Sequence, residues 1–152
     1  MDVENINPFI LAAKSVLKTL CGTETSLGKV YLKDSHFLVD QLMVVFGVVG
    51  KLRGQVYFEL SKESAMKIAS AMMGGVHVDD LDEISKSAIC EMGNMIMGKT
   101  CTLLGEKSIN VDITPPSLMS GHGIEISNKL QTIGIPLSID GHGVITINIF
   151  ME

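Results

Sequence analysis

The chain has 152 residues and a formal net charge of −5, and hydrophobic residues make up 46% of it. This length and apolar content predict a single domain, residues 1–152, with a proper hydrophobic core. The negative charge, with no basic cluster along the chain, argues against a protein that binds the phosphate backbone of nucleic acids.

The cysteines and the apolar runs indicate a cell compartment. Cys21, Cys90 and Cys101 include no CxxC pair and leave an odd thiol in any disulfide scheme. The N-terminus carries no signal-peptide pattern, and the longest apolar run, Leu42 to Val49, is too short to span a bilayer. We therefore expect a cytoplasmic protein that does not bind membranes.

The first half of the chain predicts one helix followed by strands. Asn7 as N-cap and Pro8 as the first helical residue predict a helix that continues to Leu20 and ends at Gly22. Alternating and β-branched residues then predict extended segments at 28–33, 41–49 and 54–60. The last two segments should form a hairpin, because glycines flank the short turn between them.

The second half of the chain predicts two further helices and more strands. Ser61 is expected to cap a helix over 62–73 that stops at Gly74. Asp80, with Glu83 three residues later, predicts the N-cap of a third helix that runs to about Leu104. Short extended segments are predicted at 110–113, 123–127, 130–138 and 143–150.

The two halves follow the same plan, which indicates an internal repeat. Each contains a helix, a few strands and a closing hairpin between glycines. Aligning the first helix with the third places Ser15 opposite Glu91 and Lys18 opposite Asn94. If the halves come from a duplication, only the second half has kept these polar side chains.

The third predicted helix carries the main candidate for function. At 100° per residue, Ser87, Glu91, Asn94 and Gly98 fall within an arc of about 60°. The rest of this helix is largely apolar, and Met95 is predicted to lie with the apolar residues opposite the arc. A helix of this composition should be buried nearly all round, so a polar stripe on it indicates a face that does not meet the core.

Glu91 and Asn94 are neighbours on a helix surface, because they lie three residues apart. The carboxylate can pair with the cation of a partner, and the amide can fix the position of a water molecule. The same spacing also fits two solvated polar residues on an exposed helical face. From the spacing alone, both interpretations stay open.

Other patterns for catalysis or metal binding are weak. The four histidines show no HExxH spacing and no cysteine at ligand distance, so we expect no metal site. The glycines at 74–75 and 121–123 match neither the Walker nor the Rossmann phosphate loop and predict turns. No GxSxG or Cys/His signature supports a covalent nucleophile.

The spacing Ser87-x3-Glu91-x2-Asn94 resembles the Asp/Ser-x3-Glu-x2-Asn signature of the CheC/CheX/FliY family of phosphatases of bacterial and archaeal chemotaxis. Further stretches are similar to the CheX-like members of this family, at 70–75, 81–89, 91–95, 98–99, 111–116 and 120–121. The resemblance covers essentially the whole chain, and its single signature distinguishes the CheX-like members from the two-site CheC proteins.

The resemblance implies a fold and an activity. The fold would be an α/β sandwich of α+β type, with long helices on an antiparallel sheet and an internal pseudo-two-fold repeat. The activity would be hydrolysis of the aspartyl phosphate on a CheY-type response regulator. Glu91 would pair with a lysine of the receiver, Asn94 would position the attacking water, and Ser87 and Gly98 would belong to the docking face.

The resemblance also implies partners and cofactors. The Mg²⁺ ion would belong to the receiver, and the chain would carry no cofactor of its own. CheX-like proteins form homodimers in which sheet elements are shared or exchanged, so a homodimer is expected here.

Two other interpretations remain. In the first interpretation, the chain is a binding module that docks on a receiver or flagellar switch protein and sequesters it without hydrolysis. Such a module needs Glu91 but not Asn94, so the presence of both favours the enzyme. The second is a helper of a chemoreceptor-modifying enzyme, as CheC is. Ser15 and Lys18 weaken it, because they stand where the first CheC signature would lie.

Overall fold

The computed structural model describes residues 2–34 and 36–152, which contain three helices and eight strands. The helices are α1 (Val3–Cys21), α2 (Lys62–Met72) and α3 (Glu83–Glu106). The strands are β1 (Thr25–Leu27), β2 (Tyr31–Lys33), β3 (His36–Gly50), β4 (Gly54–Leu60), β5 (Val111–Ile113), β6 (Ser117–Ser127), β7 (Thr132–Ile139) and β8 (Gly143–Met151).

The strands form one antiparallel sheet that is symmetric about its centre. Strands β4 and β8 pair in the middle, with Tyr57 opposite Asn148, and β3 and β7 flank them. The short strands of each half lie on the flanking strand of the other half: β1 and β2 pair with β7, and β5 and β6 pair with β3. This pseudo-two-fold arrangement confirms the predicted internal repeat and the α+β fold.

The main core lies between the helices and one face of the sheet. Alternate residues of β3, including Val44, Phe46 and Val48, are buried there against apolar residues of the three helices. Phe46 also meets Phe58 of β4 edge to face, with ring centroids 5.8 Å apart. Full burial of an aliphatic or Phe side chain stabilises the fold by about 1.5–3 kcal/mol, so this layer holds the helices in place.

A smaller cluster lies on the other face of the sheet. Val39, Met43 and Tyr57 are buried in it, although no residue of the helices belongs to it. The ammonium of Lys33 pairs with the carboxylate of Glu59 at 2.9 Å beside this cluster, and both side chains are largely buried. Polar partners therefore complete the side of the sheet that the helices leave uncovered.

Helix α1 begins earlier than predicted. Its N-cap is Asp2 and not Asn7, so Pro8 lies inside the helix. Proline has no N–H to donate to the carbonyl of Glu4, one turn before it. The ammonium of Lys107, just past α3, donates to that carbonyl at 2.9 Å. A contact from a distant part of the chain thus replaces the missing helical hydrogen bond, which local sequence signals do not reveal.

The two long helices pack against each other in antiparallel directions. Lys99 of α3 donates to the Ser15 hydroxyl of α1 at 2.6 Å, while Lys107, further along the chain, reaches back to Glu4. Helix α1 ends at Gly22, as predicted, where φ of +70° allows the left-handed cap. The helices therefore follow the same two-fold relation as the strands.

The N-cap of α3 differs from the predicted one. Asp82 accepts the hydrogen bond from the Ser85 N–H at 2.8 Å, and Glu83 is the first residue of the helix. Asp80 instead pairs with Lys62 at 2.6 Å and accepts from the Leu81 N–H. Asp82 has no glutamate three residues later, yet its side chain makes the cap hydrogen bond, so the pattern that pointed to Asp80 does not identify the N-cap.

Several strand boundaries were predicted only in part. Ser61 caps α2 as predicted, and the hairpin of β3 and β4 is confirmed. The predicted segment 28–33 contains only β2, and the predicted segment 123–127 is only the end of β6. Strand β6 is extended despite its glycines, because pairing along β3 overrides a weak local β-propensity.

Candidate active site on helix α3

A glycine brings α3 close to the sheet. A Cβ atom at Gly93 would lie 2.9 Å from the ring of Phe46 and 3.5 Å from Val44, both on β3. The side of α3 that carries Gly93 is therefore buried tightly against the sheet. The opposite side of the helix is turned to solvent.

The residues of the predicted arc all lie on this outer side. Ser87, Glu91, Asn94 and Gly98 are exposed. The prediction that Met95 lies opposite the arc is wrong: its side chain is 36% exposed. At 100° per residue Met95 is only about 40° from Glu91, so it borders the polar arc. Ile84, 68% exposed, lies on the same side.

The polar side chains of the arc have no partner within the part of the chain that the structure describes. The Glu91 carboxylate, the Asn94 amide and the Ser87 hydroxyl make no hydrogen bond or ion pair with described residues. A carboxylate and an amide one turn apart, both directed away from the core, can engage a second molecule without breaking an internal contact.

A groove of about 520 Å³ runs alongside the arc. Its first wall is α3, which contributes Glu83, Lys86, Ser87, Cys90, Glu91 and Asn94. Its second wall is formed by Pro116, just before β6, and by Leu118 and Ser120 at the start of β6. The structure thus places Ser87, Glu91 and Asn94 together on one rim, and Gly98 lies one turn beyond the groove.

The second wall is positioned by a short bridge between β5 and β6. The N–H of Thr114 donates to the Gly47 carbonyl at 3.0 Å, and the Gly47 N–H donates to the Thr114 hydroxyl at 2.8 Å. Two prolines follow Thr114 and cannot donate to the ladder, so these bonds hold the chain on β3 at the gap. Pro116 then enters the groove wall.

Sequence reasoning assigned no functional role to the β6 wall. Pro116 and Leu118 lie between the predicted extended segments 110–113 and 123–127, where the sequence predicts no element. The resemblance at 111–116 and 120–121 was the signal that pointed to this region.

Gly98 has no packing role among the residues that the structure describes. A Cβ atom there would meet nothing within 4 Å. Glycine in a helix interior costs about 1 kcal/mol relative to alanine, so the residue destabilises α3 without any gain in packing. A close approach by another molecule would account for it.

The groove contains one thiol, and the described residues hold no candidate metal cluster. Burial raises the pKa of the Cys90 thiol, so its thiolate, the reactive form, is disfavoured. Among the described residues, no three histidine, cysteine or carboxylate side chains are grouped so that they could hold a metal ion. The polar groups that line the groove are thus one amide, two carboxylates, one ammonium group and two hydroxyls, beside the Cys90 thiol.

A membrane-spanning helix is not found in the part of the chain that is described. Neither α1 nor α3, the two long helices, is apolar enough over a sufficient length to cross a bilayer.

Comparison with known proteins identifies the family. The family model described as chemotaxis phosphatase CheX matches residues 42–140. The CheY-P phosphatase CheX of Thermotoga maritima is 34% identical over 139 residues, which cover 91% of this chain and 90% of the relative.

Solved structures agree with this match over the whole fold. The chemotaxis protein CheX from Desulfovibrio desulfuricans superposes with a TM-score of 0.86 at 29% identity, covering 99% of this chain and 100% of the other. A CheX from Borrelia burgdorferi, solved in a CheX-CheY-BeF3-Mg²⁺ complex, gives a TM-score of 0.82 at 30% identity and covers 99% of both chains. The chain belongs to the CheX family of chemotaxis phosphatases.

Proposed function

We propose that this chain is a cytoplasmic phosphatase that removes the phosphoryl group from the aspartyl phosphate of a CheY-type response regulator. One observation carries the proposal. Glu91 and Asn94 lie exposed and without a described partner on the rim of a groove, in a chain of the CheX family. The Thermotoga relative is a CheY-P phosphatase, and the Borrelia relative was solved in complex with CheY.

Asn94 orients the attacking water. A carboxamide both donates and accepts hydrogen bonds, but it has no useful basicity, so its role is to position the water and not to remove its proton. Phosphoryl transfer needs an in-line nucleophile and charge stabilisation more than covalent help from the protein. The exposed amide can enter the receiver site without first leaving an internal partner among the described residues.

Glu91 supplies a charge for docking. Its exposed carboxylate would pair with a lysine of the receiver and fix the register of the two proteins. Ser87, one turn before Glu91, and Gly98, one turn after Asn94, complete the docking face. The missing side chain at Gly98 lets the partner approach the helix backbone.

The Mg²⁺ ion belongs to the receiver in this proposal. When bound there, it neutralises charge on the phosphoryl oxygens. Glu83 and Glu91 in the groove do not form, with any third described side chain, a group that could hold a metal. The water oxygen bonds to phosphorus as the bond from phosphorus to the aspartyl oxygen breaks. The products are the free aspartate and inorganic phosphate, which takes the proton that the water loses.

The proposal includes a homodimer, as the resemblance implies. Strand β6 spans Ser117–Ser127 and, among the described pairings, pairs only with β3, so its other edge is open to a second chain. Light scattering on the purified protein tests this point: a mass of one chain at all concentrations contradicts it.

The experiment follows the lifetime of the aspartyl phosphate on the cognate receiver with Mg²⁺, with and without this protein. Asn94→Ala should reduce the acceleration of dephosphorylation about 100-fold or more, because the water is no longer positioned. The variant should still bind the receiver. Glu91→Ala should weaken binding by about 30-fold or more, which corresponds to truncating a desolvated charge pair.

Matched controls and opposite outcomes are available. Asn7→Ala on α1 and Glu106→Ala at the end of α3 remove the same side chains from exposed positions away from the groove, and should leave both quantities unchanged. An unchanged phosphate lifetime despite binding contradicts the enzyme and identifies a docking module. Loss of activity in the controls as well contradicts the assigned roles of Glu91 and Asn94.

A further inference from the structure

The groove beside Glu91 and Asn94 continues into a second hollow of about 370 Å³. Lys86 and Ser120 line both hollows, so they stand where the two join. The second hollow also meets Lys62, Asp80 and His122. The candidate active site is therefore one end of a longer channel between α3 and β6, and Lys86 lies at the middle of this channel.

Lys86 has a loosely held counter-ion. Its ammonium lies 3.5 Å from the carboxylate of Glu83, one turn before it, and the Glu83 side chain is 93% exposed. The Lys86 side chain is only 37% exposed, so the groove confines it while Glu83 is free to move away. Exposed pairs of this kind stabilise a protein by at most about 1 kcal/mol, so exchanging Glu83 for another carboxylate costs little.

The charge at the second hollow favours an anion. Lys62 and Asp80 neutralise each other there at 2.6 Å, and this contact with Lys62 lowers the pKa of the Asp80 carboxyl. Lys86 adds a second cation to the lining of this hollow, where it also helps to lower the pKa of Asp80, while its partner Glu83 lines only the first hollow. Glu91 makes the first hollow negative at its far end. The channel thus offers a carboxylate near the reacting group and a cation further along.

The distance along the helix limits what Lys86 can do. Eight residues separate it from Asn94, which is about 12 Å along the axis. A lysine side chain does not bridge that distance to a phosphoryl group held at Asn94. An interface of standard size, about 800 Å² on each partner, does cover both positions.

We infer that Lys86 is a docking residue that pairs with a carboxylate on the surface of the phosphorylated receiver, so that the receiver lies along the channel from Asn94 past Lys86. This inference rests on the proposed function and extends it, since it assigns a second charge contact of opposite sign to that of Glu91. Lys86 acts on association and not on the chemical step.

The test measures binding of the cognate receiver, loaded with beryllofluoride and Mg²⁺, together with steady-state dephosphorylation. Lys86→Gln should raise Kd and KM about three- to tenfold with kcat within about twofold, and should reduce the salt dependence of binding. Glu83→Gln should have the opposite effect and lower Kd about twofold, because it removes the carboxylate that competes for Lys86.

A matched control is Lys67→Gln. It removes a lysine that pairs with Glu63 at 3.3 Å on α2, outside the channel, and should leave Kd within about twofold. Unchanged Kd and KM in Lys86→Gln overturn the inference, as does a loss confined to kcat. The same assay tests the proposed phosphatase activity separately, because Asn94→Ala should lower kcat. An unchanged Kd for Lys86→Gln would therefore overturn only the role of Lys86.

Discussion

Gly93 and Phe46 are packed so closely that the glycine has no room for a methyl group: an added Cβ would lie 2.9 Å from the ring. The Phe46 ring is fully buried against Phe58 and cannot swing away. This contact sets the distance between α3 and the sheet, and with it the depth at which Glu91 and Asn94 are presented.

Gly93→Ala should therefore destabilise the protein. Overpacking a core costs about 1–3 kcal/mol, and alanine returns about 1 kcal/mol through its better helix propensity. We expect a net loss of up to about 2 kcal/mol in the free energy of unfolding, measured by urea denaturation. A rise in stability of about 1 kcal/mol, which the better helix propensity of alanine alone would give, would mean that α3 does not pack on Phe46 as described.

Gly98→Ala, on the same helix, should behave in the opposite way. Apart from the adjoining backbone of α3, no described atom lies within 4 Å of the added methyl group, so the free energy of unfolding should rise by up to about 1 kcal/mol. The methyl group lies on the proposed docking face, so receiver binding should weaken although the fold is stabilised. A variant that is more stable and binds the receiver as well as wild type would remove Gly98 from the docking face.

Lys107 and Pro8 should be energetically coupled. Lys107→Met removes the donor to the Glu4 carbonyl and should cost about 0.5–1 kcal/mol in the wild-type background. In a Pro8→Ala background, residue 8 can donate to that carbonyl itself, and the cost should fall toward zero. Urea denaturation of the four proteins in a double-mutant cycle measures the coupling, and strictly additive effects would contradict it.

The N-cap of α3 should make part of the stability depend on pH. The hydrogen bond from the Ser85 backbone N–H holds the pKa of the Asp82 carboxyl below its ordinary value of 3.8. The folded state therefore favours the carboxylate. This contribution is present above the pKa of the unfolded state and is lost as the pH falls through the lowered pKa of the folded state.

Asp82→Asn tests this dependence by urea denaturation across that acid range. The variant should be less stable than wild type near neutral pH, and the difference should shrink as wild-type Asp82 becomes protonated. Asp2→Asn is the matched control, since Asp2 caps α1 without a side-chain cap hydrogen bond. A difference for Asp82→Asn that stays constant down the pH range would contradict the assignment.

Several features that depend on neighbouring residues were predicted correctly from the sequence. The helical period placed Ser87, Glu91, Asn94 and Gly98 on one face, and all four are exposed there. The cap at Ser61 and the end of α1 at Gly22 also follow from a few adjacent residues. At Asp80 and Asp82 the local pattern led to the wrong N-cap: Asp82 caps the helix, and Asp80 pairs with Lys62 of α2.

What the sequence by itself determined is the identity and spacing of the side chains on α3, because a helix relates residues within a few positions of one another. Only the tertiary structure placed Pro116, Leu118 and Ser120 opposite them. That wall exists because β5 and β6 both pair with β3. The paired residues lie more than sixty positions apart in the chain, as Val48 and Ile113 do. Such pairing is decided by burial and register across the whole sheet, and no local pattern in the chain encodes it.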